Sequence, residues 1–187
     1  MPVAISTRRF TADEYQQMGH VGILSRRDRV ELIDGEVVAM PPIGPLHCAS
    51  VDSLTLSMVT AVGGKAIVRV QGSVRLSPYS EPQPDLVLLR PRADFYASRL
   101  PGPADILLIV EIADSSLDYD RDVKSRLYAE SGVPELWLAD LQDHSVSRHS
   151  DPRGGTYQSI QQYHRGRTIA PALLPGCAIA VDVLLTD

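Results

Sequence analysis

The sequence predicts an α+β protein with a mixed β-sheet flanked by helices and an N-terminal β-hairpin extension, and three observations predict it. Asp34-Gly35 sits between two apolar runs in "RVELIDGEVVAM", and such a pair favours a tight hairpin turn because both positions tolerate positive φ. The stretch "ILLIVEIA" is apolar almost throughout, as a strand covered on both faces is. A helical stretch, "LDYDRDVKSRLYAESG", and then "PELWLAD" follow it, and strand, helix and strand in succession form a right-handed crossover between parallel strands.

The remaining elements follow in chain order. "TADEYQQM" offers Thr11 as an N-cap with Glu14 three residues on, a capping box that starts a short helix. The hairpin comes next, and "MPPIGP" breaks the chain. A helix is expected from about Leu46 to Val62, with Leu54, Met58 and Val62 on one face and Gly63-Gly64 as its end. "KAIVRVQGSVRLSP" alternates as a strand with a bulge at Gly72, and "PDLVLLR" is a second, shorter strand. "RPRADFYASRLPGPAD" reads as a surface connection. In the crossover helix Leu117, Leu127 and Tyr128 point inward, and Gly132 is the stop. A hairpin around Gly154-Gly155 and a closing strand in "CAIAVDVLL" complete the chain. With 187 residues and no interdomain linker or internal repeat, one domain over 1–187 is expected.

Composition narrows the functions. The chain is 44% hydrophobic and 22% charged, enough to bury a core. No stretch approaches the ~20 apolar residues that span a bilayer, and the N-terminus lacks a signal-peptide pattern, so a cytoplasmic location is expected. Cys48 and Cys177 are too far apart for a CxxC clip, and His20, His47, His144, His149 and His164 show no HExxH or HxH spacing, which argues against a zinc site. There is no GxSxG elbow and no GxxxxGK[ST] loop, which disfavours serine hydrolases and nucleoside-triphosphate enzymes. A net charge of -5 argues against bulk electrostatic binding of nucleic acid, tempered by the clusters Arg26/Arg27/Arg29, Arg90/Arg92/Arg99, Arg121/Lys124/Arg126 and Arg165/Arg167. Lysine is rare: of 18 basic residues only Lys65 and Lys124 are not arginine.

Three residues stand out against this background. Asp85 in "QPDLVLL" and Glu111 in "ILLIVEIADSS" lie where buried strands are expected, and Lys124 lies on the helix that follows. A buried carboxylate costs several kcal/mol unless it meets a cation, so a pair on neighbouring strands points to a bound divalent ion. Two carboxylates can hold Mg²⁺ and leave positions for water and substrate, while an ammonium orients water and offsets phosphate charge. Strand alternation makes position 113 the simplest place for that lysine, but it is Ala113. Lys124 can instead reach back from about two turns into the helix. Glu31, on the hairpin, is a plausible fourth member. Taken singly, each has a plainer explanation: a turn cap for Asp85, an ion pair with Arg121 for Glu111, an exposed helix position for Lys124, a solvent-facing strand for Glu31.

The order of these pieces resembles the PD-(D/E)xK nuclease superfamily, with Pro84-Asp85 as the first element and Glu111-Ile112-Ala113 as the second. More narrowly, "ELIDGEVVAMPP", His47, "QPDLVLLRPR", "VEIADSS", "YDRDVKSRLYAESGVPELWLAD" and the late "LPG" resemble the Uma-type restriction endonucleases over nearly the whole chain. The resemblance implies a restriction-endonuclease-like sheet, Asp85 and Glu111 as metal ligands, Lys124 as the catalytic lysine and Glu31 as an added acidic residue. It implies Mg²⁺, with Mn²⁺ as substitute, and DNA as substrate. His47 matches a recurring position without an assigned role. Asp114-Ser115-Ser116 stands where many relatives read Ser-Pro-Ser, which introduces an extra carboxylate. Cutting both strands of a duplex needs two sites related by a dyad, so a homodimer is expected. The alternative is a nuclease-fold protein that binds nucleic acid or a protein partner without cutting it, which the acidic net charge favours.

Overall fold

A computed structural model describes residues 7–25, 27–114 and 116–186; Arg26 and Ser115, named above, lie outside them. The chain opens with helix α1 (Ala12–His20), where Thr11 and Glu14 form the expected capping box. Strands β1 (Val30–Ile33) and β2 (Glu36–Ala39) form the hairpin. Its turn has positive φ at both Asp34 and Gly35, matching the right-handed twist of the strands. Helix α2 (Pro45–Val62) ends at a left-handed Gly63 and buries Leu54, Met58 and Val62.

The main sheet has six strands in the order β3-β4-β5-β6-β7-β8: β3 (Ile67–Val70), β4 (Leu86–Leu89), β5 (Ile106–Ala113), β6 (Glu135–Asp140), β7 (Ser145–Arg153) and β8 (Thr156–His164). Only β5 and β6 are parallel, as the crossover requires; their neighbours are antiparallel. Every residue of β5 is buried. Leu86, Leu88, Leu108, Val110 and Ile112 pack on the α2 side, while Val87, Leu89 and Ile109 pack with Leu127 and Tyr128 on the other. That alternation sends Glu111 to the face of Tyr128.

Three expectations are corrected. The strand read through "KAIVRVQGSVRLSP" stops at Val70, because Gln71 takes a positive φ of 46°, and the irregularity in the ladder falls between Leu88 and Leu89 rather than at Gly72. "CAIAVDVLL" supplies only the two-residue β10 (Ile179–Ala180), paired with β9 (Thr168–Ile169), before a 3₁₀ turn over Val181–Leu184. That turn sends Val181 and Leu184 into the core, a demand that a straight strand would not meet. The crossover helix is not uniform. It runs as α3 (Leu117–Tyr119), a π segment (Asp120–Lys124) and α4 (Ser125–Glu130).

The hairpin is docked on the sheet by reciprocal backbone bonds between Leu32 and Glu81. Glu81 is itself buried, and it accepts from Arg75 and Gln16. This contact fixes where Glu31 points. Among the described residues, no helix is long and apolar enough to cross a membrane.

Candidate active site

One pocket, of about 280 Å³, takes residues from four parts of the chain. The hairpin supplies Glu31, the approach to β4 supplies Asp85, the end of β5 supplies Glu111, and the π segment supplies Asp120 and Lys124. All four residues named from the sequence therefore converge. Lys124 Nζ lies 3.2 Å from Glu111 Oε1, 3.4 Å from Glu31 Oε1 and 3.7 Å from Asp120 Oδ1. Glu31, Glu111, Asp120 and Lys124 are all buried. Arg121 pairs with exposed Asp118 and Asp122 instead of Glu111, and Lys124 and Glu31 are buried rather than solvent-facing.

One short stretch supplies two members because Asp120 and Lys124 are four residues apart and so share a helix face. Ser125 N–H bonds back to the Asp120 carbonyl, five residues earlier, which closes a single π turn over this stretch. Immediately afterwards α4 buries Leu127 and Tyr128 in the core.

Asp85 and Glu111 are each anchored mainly through one oxygen, whereas Glu31 and Asp120 are engaged through both. Asp85 Oδ2 accepts from the Ile112 N–H at 2.9 Å and lies 3.0 Å from His47 Nε2; its Oδ1 has a long 3.4 Å contact from Gln71 Nε2. Glu111 Oε1 accepts from Lys124 and from the Tyr128 hydroxyl at 2.5 Å; its Oε2 has only a 3.4 Å contact from the Asp85 N–H. Glu31 Oε2 accepts from the Gln83 N–H, and Asp120 Oδ2 from the Ser116 hydroxyl.

The electrostatics follow from burial. Loss of water pushes the Glu111 carboxyl up to about 8, against the pull of Lys124, with Asp120 and Asp85 adding to the rise. Burial also raises Asp120, opposed by Lys124 and the Ser116 hydrogen bond. Burial alone lowers a lysine, yet Glu111, Glu31 and Asp120 together outweigh it and hold Lys124 above its usual value. The hydrogen bond to Asp85 raises His47, against burial.

Among the described residues, no three His, Cys, Asp or Glu side chains form a ready metal cage. The donor set nevertheless suits a hard divalent ion that needs only one or two carboxylates and keeps its waters. Asp85 Oδ1 and Glu111 Oε2 are the lightly engaged oxygens, and the five carboxylates of Glu31, Asp85, Glu111, Asp114 and Asp120 share this pocket with Lys124, Arg29 and His47.

Sequence reasoning missed Asp120, Tyr128 and the partner of His47. An aspartate four residues before the singled-out lysine was a usable signal for Asp120. Asp114, flagged as an extra carboxylate, lines the pocket and accepts from Gln142 Nε2 at 2.8 Å.

The fold is similar to that of a crystal structure described as a "putative nuclease belonging to DUF820" from Anabaena variabilis, with a TM-score of 0.71 and 15% identity over 94% of this chain and 97% of that one. At that identity the likeness is one of fold. No curated protein matches the chain. The family model "Uma2: Putative restriction endonuclease" matches residues 12–182, so the chain belongs to the Uma2 family.

Proposed function

We propose that this chain is a metal-dependent endonuclease of the PD-(D/E)xK kind that hydrolyses DNA phosphodiester bonds. The observation that carries the reading is the convergence of Glu31, Asp85, Glu111 and Asp120 around Lys124 in one pocket. Membership in the Uma2 family supports the same reading.

Asp85 and Glu111 are the residues that would hold Mg²⁺, or Mn²⁺ in its place. Once bound, such an ion lowers the pKa of water and neutralises phosphate charge. The Ile112 N–H and His47 fix the Asp85 carboxylate, and Tyr128 and Lys124 fix that of Glu111. Lys124 stays an ammonium among its carboxylates, so it acts as a donor and a counter-charge rather than as a proton acceptor. Glu31 and Asp120 keep it in place. Val38, Met40, Pro41, Pro42 and Ile43 form an apolar wall against which sugar or base can pack.

Scission of a duplex requires two such sites, which a homodimer supplies. The test is cleavage of supercoiled and single-stranded DNA with Mg²⁺ or Mn²⁺, beside Asp85→Asn and Lys124→Ala. Cleavage that needs metal and disappears in both variants is the expected result. A second reading, partner binding without cleavage, is favoured by the net charge of -5. Under it Asp85→Asn leaves partner binding unchanged and no metal-dependent cleavage is seen.

A further inference from the structure

Two polar atoms in this pocket have no partner. Among buried side-chain atoms, His47 Nδ1 and the Tyr119 hydroxyl make no hydrogen bond, and both residues line the pocket that holds Asp85, Glu111 and Lys124. His47 is only 7% exposed, and its other nitrogen, Nε2, is committed to Asp85 at 3.0 Å. An unmade hydrogen bond at a buried site costs about 1–3 kcal/mol. Such orphans call for a partner that enters from outside, a water, an ion or a ligand.

The chemistry of each atom says what it meets. Burial, with Glu31 nearby, pushes the Tyr119 phenol up to about 12, so at neutral pH it is an O–H donor. Under the nuclease reading, the acceptor that enters beside it is a phosphate oxygen. His47 Nδ1 presents a single hydrogen-bonding site, and water matches it whether that site gives or takes a proton.

Building on the nuclease reading, we propose that Tyr119 and His47 are substrate contacts of the hydrolytic site: the Tyr119 hydroxyl donates to a non-bridging oxygen of the scissile phosphodiester, and His47 Nδ1 hydrogen-bonds the attacking water. His47 thereby links the water to Asp85 through one ring. The residue numbers fit this division, since Tyr119 immediately precedes the π segment that carries Asp120 and Lys124, while His47 lies in the first turn of α2.

The test combines Tyr119→Phe, His47→Gln and His47→Asn. Tyr119→Phe deletes only the orphaned oxygen, so without DNA the variant should melt at or above the wild-type temperature. It should bind fluorescently labelled duplex DNA, measured by anisotropy in Ca²⁺, about tenfold more weakly. The Gln amide nitrogen overlays Nε2 and can keep the bond to Asp85, whereas the Asn oxygen overlays Nδ1. His47→Gln should therefore bind Mn²⁺ like wild type, by titration calorimetry, yet lose roughly 10²-fold in kcat with KM little changed. His47→Asn should retain more activity than His47→Gln at saturating Mn²⁺.

A lower melting temperature for Tyr119→Phe, or unchanged DNA affinity, overturns the Tyr119 contact. Wild-type kcat in His47→Gln overturns the His47 contact, because holding Asp85 would then be its whole role. A wild-type protein that neither binds nor cuts DNA removes the nuclease reading, and this inference with it. Cleavage by wild type and all three variants alike removes the inference alone.

Discussion

Lys124 Nζ meets Glu111 Oε1 at 3.2 Å across 13 positions of sequence, from the π segment of the crossover to the end of the central strand. The contact ties the middle of the crossover to the one charged residue of β5. It also makes Lys124 the cation on which three carboxylates depend.

Lys124→Met should therefore destabilise the protein by about 3–5 kcal/mol, because it leaves buried acids without their counter-charge. Urea unfolding at neutral pH measures this, and Mn²⁺ should restore part of the loss. A loss below about 1 kcal/mol would show that the acids hold protons in place of Lys124's charge.

Asp85→Asn should abolish stabilisation by metal. At a hundred times its Kd, a divalent ion that binds only the native state adds about 2.7 kcal/mol, so millimolar Mg²⁺ or Mn²⁺ should raise the wild-type melting temperature and leave the variant's unchanged. Equal shifts in both proteins would place the ion elsewhere.

The metal-free protein should lose stability as pH rises from about 4.5 to about 8. Glu111 is held above its usual 4.5, at about 8, so in that window the native state binds a proton that the unfolded chain has released. Stability then falls with pH by up to about 1.4 kcal/mol per unit. Asp120 and Glu81, both raised by burial, act in the same direction. His47, also raised, contributes stability below its unfolded pKa that is lost as pH rises through its native one. Saturating Mg²⁺ should flatten the profile by keeping Glu111 ionised. A flat profile without metal would contradict the burial argument.

Much of this was legible in the chain because the signals were local or compositional. Asp34-Gly35, the Thr11/Glu14 capping box and Gly63 are local conformational demands, and "ILLIVEIA" announced its own burial. Glu111 and Lys124 stood out as a charge in an apolar run and as a rare residue type. The π segment was not legible, since nothing in "YDRDVKSRLYA" departs from ordinary helical composition. Nor could the short β3 be read, because its end is set by the backbone of Gln71, a residue with no special preference for positive φ. Tyr128 was read as inward, but its hydroxyl reaches Glu111 only through tertiary packing.

Gly35→Ala should cost more than Gly132→Ala. Both glycines have positive φ, 84° and 76°, but a Cβ on Gly35 would stand 2.5 Å from Arg9 Cβ, whereas one on Gly132 meets nothing within 4 Å. Backbone strain of about 1–3 kcal/mol is common to both, so the difference isolates the clash. Chemical denaturation of the two variants compares them directly, and an equal loss would mean that Arg9 yields freely.

The π segment has a consequence for how this chain can change. A π turn holds one residue more than an α-helical turn, so deleting one residue between Asp120 and Lys124 would let the helix return to regular winding with everything beyond it on the same side. Lys124 would stay in the pocket, and Leu127 and Tyr128 in the core. An insertion has no such slack: at about 100° per residue, one more residue would swing either Lys124 out of the pocket or Leu127 and Tyr128 out of the core. Length in this stretch is therefore tolerant in one direction only, whereas residue type is open at Arg121 and Asp122, which face solvent.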